Sequence, residues 1–173
     1  MGVAQCVAEK PQHYTRRKKQ GLVGCLSMAT PKPFVQVACL ASQVIVEPDG
    51  SATLVRIADT FTVDVPRDLP ADFKPSAVLD IYIALKSGDV PPGKFNVELL
   101  MRPPNKPPKA YGPREILLEG GIHGAAMQVK LHVVGLEFDE TYWIDLLWDT
   151  KKEVITSIPF RFKRAEPSIE QIG

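Results

Sequence analysis

The chain has 173 residues, of which 45% are hydrophobic and 24% are charged, and its formal net charge at pH 7 is +1. This length favours a single domain with an ordinary globular core, and the near-neutral charge gives no sign of nucleic acid or an anionic membrane as an obligatory partner. The three cysteines lack CxxC spacing, which argues against a disulfide framework or a zinc knuckle, and free thiols fit a cytoplasmic location.

The first 32 residues show neither strand alternation nor a sustained helical stripe. They carry six basic residues and one acidic residue, a net charge of +5, whereas the rest of the chain carries 15 basic and 19 acidic residues. We therefore expect residues 1–32 to form a disordered basic arm, with no segment long enough to span a bilayer. Met28 stands just before the first ordered-looking segment and is an alternative start of the native product.

The sequence changes character at Phe34, where short β-branched segments begin. Strands are predicted over 34–40, 43–46, 53–57 and 60–65, and residues 47–50 (Glu-Pro-Asp-Gly) supply a turn between the second and the third. The spacing of the last two segments predicts a hairpin.

The second half of the chain continues in the same style. Alternating apolar residues predict strands over 78–85, 94–101, 116–118, 126–134, 141–148 and 154–163. The last of these strands is expected to face inward with Ile158, Phe160 and Phe162. Residues 102–113 contain five prolines and are predicted to be too proline-rich for regular structure.

Short strands separated by turn signals, without a helical period, predict an all-β fold. We expect a two-sheet sandwich of about seven to nine antiparallel strands, because the strands differ in length and the connections differ in style. The predicted domain covers residues 33–164, and residues 165–173 are predicted to be a flexible tail.

The end of this region resembles a known kind of domain. Residues 134–144 (VGLEFDETYWI), followed by a turn and residues 158–162 (IPFRF), resemble the last hairpin of many immunoglobulin-like domains. The stretch 34–163 also resembles a group of small, uncharacterised bacterial proteins with such a domain. The resemblance implies an immunoglobulin-like sandwich and carries no activity, and Glu140-Thr141 stand where the pattern usually has glycine.

Three candidate sites contain polar residues near strand ends. His123 lies in a Gly-Gly-Ile-His-Gly segment, whose amides could bind an anion, although a loop between strands also explains the glycines. Asp145 and Asp149 share a strand face with Trp143, as on carbohydrate-active surfaces, although the sequence favours a solvated sheet face as their explanation. Pro104 and Pro107 fit a polyproline ligand, or a semi-rigid strand connection.

No metal or cofactor site is predicted, because His132 with Cys39, Asp145 or Asp149 offers no recognisable ligand spacing. The sequence therefore favours a non-enzymatic binding or assembly module. It would use a protein partner, or self-association through a sheet edge or end loops, and neither nucleic acid nor membrane. The alternative is a small hydrolase or carbohydrate-active protein using Asp145, Asp149 and His123, which requires these side chains to converge within about 10 Å.

Overall fold

The computed structural model describes residues 31–65, 70, 73–149 and 152–165. Most of the predicted basic arm and of the predicted tail therefore lies outside the described residues. Within them, no helix is long and apolar enough to cross a membrane. The secondary structure of this part consists of nine strands: β1 (Phe34–Val46), β2 (Ala52–Ile57), β3 (Thr60–Val63), β4 (Ala77–Gly88), β5 (Gly93–Arg102), β6 (Lys109–Leu118), β7 (Gly121–Val133), β8 (Thr141–Trp148) and β9 (Glu153–Arg164).

These strands form two sheets, one of which is strongly curled. The four-stranded sheet has the order β2-β1-β4-β7, and the five-stranded sheet has the order β3-β9-β8-β5-β6. The predicted all-β class with two sheets is confirmed. The prediction of purely antiparallel strands is wrong at one place, because β3 pairs with β9 in parallel.

The predicted hairpin between 53–57 and 60–65 is wrong, because these two segments lie in different sheets. β2 pairs antiparallel with β1 across the Glu47–Gly50 turn, where Gly50 has a φ of +82°. The chain then crosses to the other sheet between Ile57 and Thr60. Alternation identifies both segments as strands, but it does not say which neighbour each one pairs with.

The proline-rich segment is more regular than predicted. β5 continues to Arg102, and β6 begins at Lys109 and runs through Pro113. β6 is an edge strand, so on its outer side no neighbouring strand needs a backbone N–H from proline. A register shift opposite this part of β6, between Val97 and Leu99, accommodates the irregularity.

The core lies between the inner faces of the two sheets and follows strand alternation. Ile158, Phe160 and Phe162 are buried, as predicted. The ring of Phe160 stacks on Tyr142 with centroids 5.2 Å apart. The other inward strand residues of the core that are nearly inaccessible to solvent include Leu40, Leu79, Ile81, Ile83, Leu118, Val129, Ile144 and Leu146.

Tyr142 also fixes the corner between β7 and β8. Its phenol oxygen accepts a hydrogen bond from the backbone N–H of Glu137 at 2.7 Å, five residues earlier in the chain. Leu136, next to it, is buried and donates its backbone N–H to the carbonyl of Pro75. The corner is therefore tied both to the following strand and to the segment that leads into β4.

We expect Tyr142→Phe to lower the free energy of unfolding by about 1–3 kcal/mol, because the Glu137 N–H would lose its acceptor while the ring stays in place. Tyr111→Phe is the matched control. The buried hydroxyl of Tyr111 has no hydrogen-bond partner among the described residues, so its removal should cost nothing. Urea denaturation of both variants measures the difference, and equal losses would contradict the assignment.

Candidate functional site

The outer face of the five-stranded sheet carries a polar cluster in its middle. Strand register brings Asp145 of β8 opposite Leu100 of β5 and opposite Ser157 of β9. Arg102 donates two hydrogen bonds to the Asp145 carboxylate, from Nε at 2.6 Å and from Nη2 at 2.9 Å. Ser157 Oγ donates a third to Oδ1 at 2.6 Å. Asp145 is 3% exposed, so these donors replace the water that burial removes.

These neighbours favour the ionised form of the Asp145 carboxyl. Burial, the largest single effect, raises the pKa of its carboxyl. The hydrogen bonds from Arg102 and Ser157, together with the charge of Arg102, outweigh this effect and set the pKa below its ordinary value. The hydrogen bond that Arg102 donates to Asp145 in turn raises the pKa of the Arg102 guanidinium. The pair is therefore ionised at neutral pH.

Trp143 lies beside this cluster and faces solvent. It stands directly opposite Arg102 on β5 and Pro159 on β9, and its ring centroid is 5.7 Å from the guanidinium carbon of Arg102. The residue is 38% exposed. Trp148, on the same strand, points inward instead, is 2% exposed and stacks on Phe95. Only the first of the two indoles can therefore meet a ligand.

Two further cations continue this surface along β9. Phe160 and Phe162 face the core, so strand alternation directs Arg161 and Lys163 outward. Arg161 Nη2 donates to Thr141 Oγ1 at 2.9 Å. We call this surface the outer patch, and its members are Thr60, Thr62, Arg102, Thr141, Trp143, Pro159, Arg161 and Lys163.

The outer patch contains three cations, Arg102, Arg161 and Lys163, and the acidic residue on its strands, Asp145, is paired with Arg102. Four carboxylates flank it in the chain: Asp59 and Asp64 at the two ends of β3, and Asp139 and Glu140 before β8. Asp59 accepts a hydrogen bond from Thr60 Oγ1. The other half of the same sheet face is balanced, because Lys94 pairs with Glu115 at 2.8 Å and Lys152 pairs with Glu98 at 3.1 Å.

The structure does not bring the three residues of the predicted hydrolase site together. Asp145 and Asp149 are four positions apart along β8 and the turn after it, roughly 13 Å in an extended strand. His123 belongs to β7 of the other sheet. Asp149 lies in a turn with a φ of +52°, where its N–H donates to the carbonyl of Asn96. The described structure therefore gives no support to the alternative prediction of a hydrolase site, since its three residues lie in β8, in the turn after it and in the other sheet.

The glycine-rich segment around His123 forms the turn into β7, and hydrogen bonds to a buried serine fix this turn. The hydroxyl of the fully buried Ser87 donates to the carbonyl of His123 at 2.8 Å and accepts from the N–H of Gly120 at 3.1 Å. Gly120 and Gly121 have positive φ, and a Cβ at Gly124 would lie 2.0 Å from the carbonyl oxygen of Leu85. Conformation and close approach thus account for these glycines.

Pro104 and Pro107 lie in the connection between β5 and β6. Pro104 is partly buried and Pro107 is exposed. Lys106, between them, forms an ion pair with Glu137 at 3.0 Å, which attaches the connection to the corner between β7 and β8. The segment is therefore positioned as a strand connection. No cluster of three or more metal-ligating residues occurs in the described part of the chain.

The sequence named Trp143 and Asp145 as candidates but missed the residues that act with them. Arg102 and Ser157 lie 43 and 12 positions away from Asp145, and only the strand register reveals their contact. Arg161 and Lys163 could have been identified from the sequence, because they alternate with the inward residues of β9. A basic residue at every second position of a strand indicates a charged outer face.

Comparison with known proteins gives likenesses among solved structures. No protein-family model and no curated protein matches the chain. Among solved structures it is similar to the Pseudomonas fluorescens alkylpurine DNA glycosylase AlkC bound to DNA containing an abasic site analog, with 11% sequence identity and a TM-score of 0.40. The likeness covers 73% of this chain and 30% of that chain. It assigns no activity to the present protein.

Two sequence predictions are corrected at this point. The similar structure is an enzyme bound to DNA, and the predictions of a non-enzymatic module and of no nucleic-acid partner are not carried further. The prediction about nucleic acid was drawn from the total charge of the chain. A net charge of +1 over 173 residues does not show where cations stand together, as Arg161 and Lys163 do on one face of β9.

We expect Asp145→Asn to lower the free energy of unfolding at pH 7 by about 1–3 kcal/mol, less than a fully buried pair would cost because Arg102 can still reach water. The folded-state pKa of Asp145 lies below its unfolded value near 3.9, so its contribution is present above that pH. The contribution is lost as the pH falls through the folded pKa.

Urea denaturation of both proteins between pH 7 and pH 2.5 tests this expectation. The difference in unfolding free energy should shrink below about pH 4, where the carboxyl of the unfolded wild-type chain becomes neutral. Glu115→Gln is the control, since both side chains of its pair with Lys94 are more than half exposed, and it should leave the midpoint unchanged. A difference as large at pH 2.5 as at pH 7 would contradict the role of the charge.

Proposed function

We propose that the protein binds nucleic acid through the outer patch. The observation that carries this proposal is the exposed Trp143, which lies against the ion pair of Arg102 with Asp145, with the outward cations Arg161 and Lys163 farther along β9. Basic side chains supply the sequence-independent attraction for phosphates, and an exposed aromatic ring supplies a surface for a base. Both occur here on one side of one sheet.

The neighbouring side chains suit the same ligand. Thr60 and Thr62 of β3 stand opposite Arg161 and Lys163 of β9, so hydroxyl donors accompany the two cations along the edge of the sheet. Threonine hydroxyls and arginine guanidinium groups are common donors to phosphate oxygens. The patch therefore offers several phosphate contacts that do not depend on base sequence.

We also propose that the domain is immunoglobulin-like, related in fold to the small bacterial proteins that its sequence resembles. The strand order supports this: β1, β4 and β7 form one layer, and β9, β8, β5 and β6 form the other, as in sandwiches with an added strand beside the third. The hydrogen bond from the Glu137 N–H to the Tyr142 hydroxyl supports it further. It matches the tyrosine corner found before the sixth strand of such domains.

Fluorescence anisotropy with a labelled DNA oligonucleotide of mixed sequence tests the proposed function. We expect binding that weakens steeply between 50 and 200 mM salt, because released counterions drive it. The double variant Arg161→Ala with Lys163→Ala should bind about tenfold more weakly at low salt. The slope of log affinity against log salt concentration should fall by about 1.5, since two phosphate contacts are lost.

The matched control removes the same amount of charge from the balanced half of the face. Lys94→Ala with Lys152→Ala deletes two cations that already pair with Glu115 and Glu98, so DNA affinity should change little. Equal losses in both double variants would mean that total charge alone is responsible and would contradict the proposal. Tighter binding of a sulfated polysaccharide than of DNA would contradict it as well.

A further inference from the structure

We infer that the outer patch takes single-stranded nucleic acid, with an unpaired base stacked on Trp143. This inference rests on the proposed function and specifies its ligand. In a duplex, both faces of every base are covered by its neighbours, so a ring on a sheet face meets only the backbone and the groove edges. Trp143 adds binding energy only where a base is free to lie on it.

The shape of the site supports an unpaired ligand. Trp143 belongs to the middle of a sheet, between β5 and β9, and no helix occurs among the described residues to enter a groove. Duplex DNA is read by elements that project into its grooves, usually a helix or a β-ribbon. A sheet face with an exposed ring presents instead a platform, which is how several folds hold single strands.

The ring is also held in advance of binding. Arg102 lies against Trp143. Its guanidinium is itself fixed, because it donates two hydrogen bonds to the carboxylate of Asp145. Ser157 holds the other side of the carboxylate. Because neither the guanidinium nor the indole needs to be ordered by the ligand, less conformational entropy is lost when a base stacks.

The cations define a path for the backbone beside the ring. Arg102 lies two strands away from β9, and Lys163 lies four positions along β9 from Pro159, the partner of Trp143. Strand spacing and rise place the two ends of the patch roughly 16 Å apart. Arg161 lies between them. This length suits a few nucleotides with one stacked base and phosphates on either side, within the range of small single-strand sites.

The test compares three unlabelled ligands by tryptophan fluorescence: oligo(dT) of about 12 nucleotides, the same oligonucleotide paired with oligo(dA), and inorganic polyphosphate, which has no bases. Trp148 is buried against Phe95, so quenching by a stacked base reports Trp143. We expect strong quenching and at least tenfold tighter binding with oligo(dT) than with the duplex. Polyphosphate should bind with little quenching.

Variants of the ring separate stacking from charge. Trp143→Leu should weaken oligo(dT) binding about tenfold and abolish the quenching, while its affinity for polyphosphate stays unchanged. Trp143→Phe should keep most of the oligo(dT) affinity, which shows that an aromatic face is needed. Circular dichroism confirms that both variants are folded, and Trp143 is exposed enough for either change to be tolerated.

Each outcome bears on one proposal. Equal affinity for single strand and duplex, or an unchanged affinity in Trp143→Leu, would overturn the inference about single strands while nucleic-acid binding through the outer patch stands. Polyphosphate binding as tight as oligo(dT) would overturn it too, because bases would contribute nothing. Failure to bind any of the three ligands would overturn the proposed function itself.

Discussion

Asp145 lies on the outward side of a sheet, yet only 3% of its surface reaches solvent. A carboxylate in that position requires donors, and the two strands beside β8 supply them: β5 through Arg102 and β9 through Ser157. The ion pair thus links the strands of the sheet on the face away from the core. It also fixes the guanidinium that lies against Trp143, so the geometry of the outer patch depends on it.

Different interactions stabilise the two faces of the five-stranded sheet. The inner face excludes water through apolar contact, which depends little on direction. The outer face is organised by directional bonds between charged and polar groups, which specify where each side chain points. In β9 the two demands alternate residue by residue, with phenylalanines at 160 and 162 and cations at 161 and 163. One short strand therefore contributes both to the core and to the candidate site.

Local pattern was sufficient for much of the fold. Alternation located most strands, the inward residues of β9 and the turn at Glu47–Gly50. It failed where the answer depends on partners distant in sequence. The segments at 53–57 and 60–65 look like a hairpin because they are adjacent, but each obtains its backbone partners from another strand. The end of the proline-rich stretch, residues 109–113, belongs to β6, an edge strand, and composition does not reveal an edge position.

The pairing of β3 with β9 has a consequence for how the molecule assembles. Thr60 and Arg161 are matched in register although they lie about 100 residues apart in the chain. While the polypeptide is being synthesised, β3 leaves the ribosome long before its partner exists. The edge of the five-stranded sheet can close only after the last strand has been made. Contacts of such sequence separation slow folding, since a long loop must close before they form. Completion of this domain therefore waits for the synthesis of β9, and the outer patch, which draws on both strands, forms with it.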